Sequence, residues 1–184
     1  MNDSLWMTGN FPGVNGRTSS TATSPIAGLQ LAKAAGATVI ITSSSNLKLE
    51  RARALGADHV INYRDTPGWG ARAKAITGNR GVDVVLEVGG EQTLAQSEAA
   101  LMPGGAIAAI GLLGGGRIKS VKDPLSKLHY IRVGNRDQFI DMNRAISANG
   151  IRPVVDKVFP LEQLAAAMRA LQSGSVFGKV AIQL

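Results

Sequence analysis

From residue 26 onwards, apolar residues arrive in short blocks, spaced in turn as helix faces and as continuous runs. Ile26, Leu29 and Lys33 mark successive turns of a helix over Ile26 to Ala35, with Ala32 and Ala35 small enough to pack closely on a sheet. Pro25 suits the first helical position and Gly36 the C-terminal cap. Thr38-Val-Ile-Ile-Thr42 is almost wholly apolar, the pattern of a strand buried on both faces in a parallel sheet. The alternation then repeats, predicting helices over Asn46 to Leu55, Gly70 to Thr77 and Thr93 to Leu101. Strands are expected over His59 to Asn62, Val82 to Val88 and Ala106 to Ile110. A short helix near Pro124 to Leu128 and a strand over Tyr130 to Val133 close the series. Strands alternating with helices of about ten residues argue for an α/β fold with a doubly wound parallel sheet.

The two ends read differently. Residues 1–25 are rich in Gly, Ser, Thr and Asn without periodicity, and are expected to be an irregular or disordered lead-in. Residues 26–150 form the Rossmann-like unit, and Phe139 to Asn149 is its last predicted helix. Residues 151–184 are a tail, extended at Val154 to Phe159, helical at Leu161 to Leu171 and extended again at Lys179 to Leu184. Such a tail is too short to hold a core alone, and is expected to leave apolar surface uncovered.

With 184 residues, 45% hydrophobic and 18% charged, the chain suits one globular domain. It has no cysteine, which excludes disulfides and thiolate metal sites and fits a cytoplasmic setting. His59 and His129 lie in no metal-ligand spacing. No basic segment is followed by an apolar run, so no signal peptide is expected, and no run approaches the ~20 apolar residues of a membrane span. The net charge of +7 raises nucleic acid as a partner, but the cations are scattered, as in Lys48-Leu-Glu-Arg51 and Lys122-Asp123, with no interleaved aromatics. A solvated basic surface or attraction to a phosphate-bearing ligand fits better.

The stretch from Leu29 to Tyr63, LQLAKAAGATVIITSSSNLKLERARALGADHVINY, resembles the nucleotide-binding domain of the medium-chain dehydrogenase/reductase superfamily. Its quinone-oxidoreductase and zinc-type alcohol-dehydrogenase-like members are the most similar. The resemblance continues through Gly81-Val-Asp-Val-Val-Leu-Glu87, Leu101-Met-Pro-Gly-Gly-Ala106, Ile131-Arg-Val-Gly-Asn-Arg136 and Phe177-Gly-Lys-Val180. It implies an oxidoreductase moving hydride to or from a quinone, an enone or an alcohol/aldehyde pair. In the family a catalytic domain precedes this one and, in zinc-using members, carries the metal ligands. Neither is seen here, so no zinc and no catalytic residue are expected, and activity of the chain alone is expected to be weak or nil. The family's first strand and glycine turn are also missing, since residues 13–25 read Gly-Val-Asn-Gly-Arg-Thr-Ser-Ser-Thr-Ala-Thr-Ser-Pro. Losing a central strand is expected to expose sheet edges on both sides of the gap.

The resemblance also implies where a cofactor sits. NAD-preferring relatives end the second strand in Asp or Glu, which bonds the adenosine ribose and repels a 2′-phosphate. Aligned on Ala37 and Lys48, that position is Ser43. Ser43, Ser44, Lys48 and Tyr63 match a Ser/Gly–Lys–Tyr set that grips the 2′-phosphate, implying NADP(H). Read on their own, Ser43 to Ser45 are also a helix cap, Lys48 a solvated helix residue and Tyr63 half-buried packing. Val88 and Gly89, with Ile110, Gly111 and Leu112, would flank the ribose and nicotinamide, and Val133 and Gly134 the carboxamide. Phe177 and Lys179 would close over the cofactor from the tail. Each of these glycines also suits an ordinary turn. Asp83 and Glu87 share a strand face, but nothing sets their ionisation apart, so both read as structural. The segment Ile118 to Val133 resembles the sheet edge through which such domains pair, implying a homodimer. The alternatives are a non-catalytic remnant of the fold or an interaction module using the basic surface.

Overall fold

The computed structural model describes the backbone of residues 5–8 and, in full, residues 25–110, 120–132 and 134–184. Six strands form one sheet: β1 (Leu5–Thr8), β2 (Thr38–Ser43), β3 (His59–Asn62), β4 (Val82–Glu87), β5 (Leu101–Ala109) and β6 (Lys127–Tyr130). Their order across the sheet is β3-β2-β1-β4-β5-β6. Helices α1 (Pro25–Ala34), α2 (Asn46–Ala54), α3 (Trp69–Ile76) and α4 (Glu91–Ala100) connect or follow the strands. The fold is a Rossmann-like, doubly wound α/β sheet.

The two-residue period of β2 divides the core. Val39 and Ile41 face α1 and α2, packing with Leu29, Ala32, Leu49 and Ala52. Ile40 faces the other side, with Trp69 and Ala73 of α3, Ala100 of α4, and Val85 and Ile107 of the neighbouring strands. Asp58 ties the first layer together: it pairs with Lys33 of α1 at 2.9 Å and accepts the Val39 amide at 2.7 Å. Burial would raise its pKa, but the hydrogen bonds from Lys33 and Val39 outweigh that and hold the carboxyl below its ordinary value.

The irregular reading of residues 1–25 does not hold at Leu5–Thr8. This segment is a strand that fills the gap between β2 and β4, so no edges open inside the sheet. It is not the usual parallel first strand, for it runs antiparallel to both neighbours, with Thr8 opposite Thr38 and Leu5 opposite Ile41 and Leu86. Pairing on both sides supplies what four residues lack in intrinsic preference. The other strand neighbours are parallel.

Two further expectations need correcting. Residues 124–128 are not a helix, because Asp123 folds them into a turn. Its side chain accepts the Leu125 amide at 3.0 Å and the Ser126 hydroxyl at 2.7 Å, and its carbonyl accepts the Ser126 amide at 3.1 Å. Local side-chain bonds of this kind compete with helix formation. The last strand consequently comes earlier than Tyr130 to Val133, at Lys127–Tyr130, and forms the sheet edge.

Beyond the sheet, α5 (Arg136–Ala148) starts from a capping box made by Asn135 and Gln138. The tail contains β7 (Val155–Pro160), a single 3₁₀ turn, α6 (Leu164–Gln172) and β8 (Lys179–Gln183), with β7 and β8 paired in parallel. Apolar surface is indeed open here: Val158, Leu164, Met168 and Leu171 are each about half exposed. Between α1, α5 and the start of the tail lies an apolar groove of about 380 Å³, lined by Ile26, Phe139, Met142, Ile146 and Val154.

Candidate functional site

Ligands of open α/β sheets bind outside the carboxyl ends of the parallel strands. Here those ends are Ser43, Asn62, Glu87, Ala109 and Tyr130. Two turns at this edge differ in how they satisfy the helix that follows.

After β2 the satisfaction is neutral. Ser45 caps α2, its hydroxyl accepting the Lys48 amide at 3.4 Å. Ser43 is buried, and its hydroxyl accepts the Ser45 amide at 3.3 Å. Ser44 is half-buried beside them. Ser43 and Tyr63 are brought together, since the Ser43 carbonyl accepts the Tyr63 amide at 3.2 Å. The Tyr63 ring packs against the Ile40 layer, and its buried hydroxyl has no hydrogen-bond partner among the described residues. Lys48 stands on the first turn of α2, but its ammonium donates to the Gly174 carbonyl at 2.6 Å. The cap reading of the serines thus holds at Ser45, and the lysine is tied to the tail.

After β4 a buried acid holds the turn instead. Glu87 has no exposed surface. Its Oε1 accepts the Gly89 amide at 2.7 Å, the Gly90 amide at 3.1 Å and the Thr93 hydroxyl at 2.7 Å. Its Oε2 accepts the Ser97 hydroxyl. Gly89 and Gly90 are therefore wrapped round the buried carboxyl, with Val88 buried before them. Asp83, on the same strand, pairs instead with Arg80 at 2.8 Å, so the two acids do not act together.

The remaining predicted positions are spread out. Ile110 is half-buried, its amide donating to the Glu87 carbonyl at 2.9 Å, and Gly134 is half-buried before α5. Gly111, Leu112 and Val133 lie outside the described residues. Phe177 is in the core of the α1/α2 layer, with the Arg51 guanidinium 4.2 Å from its ring centroid. Lys179 opens β8, and its amide donates to the Val154 carbonyl at 2.9 Å. Arg51 also pairs with Asp156 at 2.8 Å, and that hydrogen bond holds the Asp156 carboxyl below its ordinary value. Lys48 and Arg51, one turn apart on α2, thereby pin the tail to the domain.

Sequence reasoning set Glu87 aside as structural and missed what it organises. The signal was Thr93 and Ser97, four apart on one helix face and just beyond two glycines. Among the described residues no three His, Asp or Glu side chains cluster as metal ligands, and no helix is long and apolar enough to cross a membrane.

A sequence profile of the zinc-binding dehydrogenases matches residues 26–148, from the second position of α1 to the end of α5. The chain belongs to the zinc-binding dehydrogenase family. A zinc-type alcohol dehydrogenase-like protein of Schizosaccharomyces pombe is 43% identical over 164 residues, covering 85% of this chain and 47% of that protein. A 2-haloacrylate reductase of a Burkholderia species is 33% identical over 168 residues, covering 80% of this chain and 48% of the relative. A solved NAD-dependent alcohol dehydrogenase superposes with a TM-score of 0.78 at 31% identity, over 90% of this chain and 49% of that one. The chain thus spans about half the length of the relatives it matches. These relatives are oxidoreductases, and the family fold is that of a dinucleotide-binding dehydrogenase domain.

Proposed function

We propose that this chain is the NADP(H)-binding part of a medium-chain oxidoreductase acting on a quinone, an enone or an alcohol/aldehyde pair. The observation that carries the proposal is the carboxyl end of β2. A neutral Ser43 stands there instead of an acid, its carbonyl accepting the amide of Tyr63, whose buried hydroxyl has no partner among the described residues, and Lys48 follows on the first turn of α2. A buried hydroxyl without a partner costs about 1–3 kcal/mol, and a phosphate oxygen would relieve that cost. Lys48 would exchange the Gly174 carbonyl for the phosphate, trading a bond to a neutral acceptor for a charge-assisted one. Bound NADPH would supply the hydride, while Val88, Gly89 and Ile110 would line the ribose and nicotinamide. Groups that polarise a substrate carbonyl would come from outside this chain. The edge strand β6 would pair two copies.

A second reading, a chain that keeps the fold without turnover, draws on the direction of β1. Because β1 is antiparallel, Thr8 lies at the amino edge beside Thr38, whereas a phosphate-binding turn belongs at the carboxyl edge. Calorimetric titration of NADPH and NADH separates the two readings. The first expects tighter NADPH, weakened about five- to tenfold by Lys48→Ala, equivalent to about 1–1.4 kcal/mol. Failure of both dinucleotides to bind would favour the second.

A further inference from the structure

We infer that Gly174 is a specificity-determining residue: its turn competes for Lys48 from within the chain, and so sets how strongly the carboxyl end of β2 favours a ligand phosphate. The inference rests on the dinucleotide reading above and brings the tail into it. Two cations of α2 hold the tail, and they hold it differently. Arg51 is fixed by the Asp156 carboxylate at 2.8 Å and by the face of Phe177, a core residue. Lys48 donates to a neutral acceptor, the Gly174 carbonyl at 2.6 Å, on a turn whose residues Ser173, Gly174 and Ser175 are all exposed.

The end of α6 sets the position of that acceptor. The Gly174 amide donates to the Leu171 carbonyl at 3.3 Å, and Gly174 takes φ 66°, the left-handed conformation common where helices end. The Ser173 hydroxyl braces the same turn, donating to the Ala170 carbonyl at 2.7 Å and accepting the Ser175 amide at 3.3 Å. The carboxyl end of a helix carries the negative end of its dipole, which draws the Lys48 ammonium further. Past the turn the tail is anchored without Lys48. Phe177 is buried against α1 and α2, the Lys179 amide donates to the Val154 carbonyl at 2.9 Å, and β8 pairs with β7. Losing Lys48 therefore frees the exposed turn and leaves the tail docked. By linkage, a phosphate that takes Lys48 releases the Gly174 turn, and a turn that lets go of Lys48 tightens the phosphate by the same factor. A ligand without that phosphate leaves the bond in place.

Gly174→Val tests the inference, with NADPH and NADH as probes. A β-branched residue disfavours the left-handed region, and a Cβ on Gly174 meets nothing within 4 Å, so the change moves the turn without a clash. Exposed charged contacts are weak, so calorimetric titration is expected to show NADPH binding about two- to fivefold more tightly, with NADH within about 1.5-fold of the parent. In a Lys48→Met background the same substitution should change neither affinity. The carbon resonance of the Gly174 carbonyl reports the bond directly in the isotope-labelled parent. Lys48→Met should move it upfield, the direction of a lost hydrogen bond; saturating NADPH should move it the same way, and NADH should leave it. If the valine variant does not fold, these spectra decide alone. NADPH binding that leaves the resonance unmoved, or no gain in NADPH affinity in the folded valine variant, overturns the competition while the dinucleotide reading stands. Failure of the parent to bind NADPH removes that reading and the competition with it.

Discussion

The turn after β2 and the turn after β4 lead into helices at the same edge of the sheet, yet they resolve the same electrostatic problem in opposite ways. Each helix start presents unpaired amides. At α2 a serine hydroxyl caps them and a lysine stands one turn on, so the local charge is positive. Before α4 the buried Glu87 carboxyl accepts the two glycine amides, and no side chain caps the helix itself. The contrast shows why position in the fold is not enough to define a phosphate site. One turn is held by a neutral serine cap, whereas the other closes round a carboxyl group of its own strand.

The comparison can be broken most severely at the β4–α4 turn. Gly89→Ala forces a methyl group against Thr93 and towards the Glu87 carboxylate, and is expected to cost at least about 2 kcal/mol in urea unfolding. The next largest effect should come from giving the β2 turn a negative charge like that of its counterpart. Ser43→Asp puts a carboxylate where the 2′-phosphate is proposed to sit, and should lower the NADPH-to-NADH affinity ratio at least about tenfold. An unchanged ratio would remove Ser43 from the site. Ser45→Ala removes the neutral cap of α2, with an expected loss of about 1 kcal/mol visible in the same unfolding assay.

The smallest effect is a pH dependence. Asp58 titrates below its ordinary value in the folded chain, so the stability it lends is present above the unfolded carboxylate pKa of about 4 and is lost as pH falls through the lower folded value. Its side chain is 35% exposed, so solvent screening keeps that contribution under about 1 kcal/mol. Asp58→Asn should flatten the acid limb of the stability profile and leave the neutral region with little slope.

Much of the fold was legible because its signals are local. Apolar runs such as Val39-Ile-Ile41 mark buried strands, and Gly36 and Gly56 take positive φ where α1 and α2 end. The missed strand is not local. Leu5–Thr8 is a strand through partners supplied by β2 and β4, and no four-residue window carries that information. The turn at Asp123 was decided by one side chain competing with the helix suggested by Pro124. At the site, the neutral end of β2 was readable from Ser43, whereas the hold of Gly174 on Lys48 depends on how the tail folds back.

The strand β1 also joins the two halves of the sheet. Among the described residues it is the only backbone pairing between the β2–β3 half of the sheet and the β4–β5–β6 half. Each half can form from neighbouring stretches of chain, but the slot between them exists only once both are in place. The two halves of the sheet therefore meet along a seam four residues long.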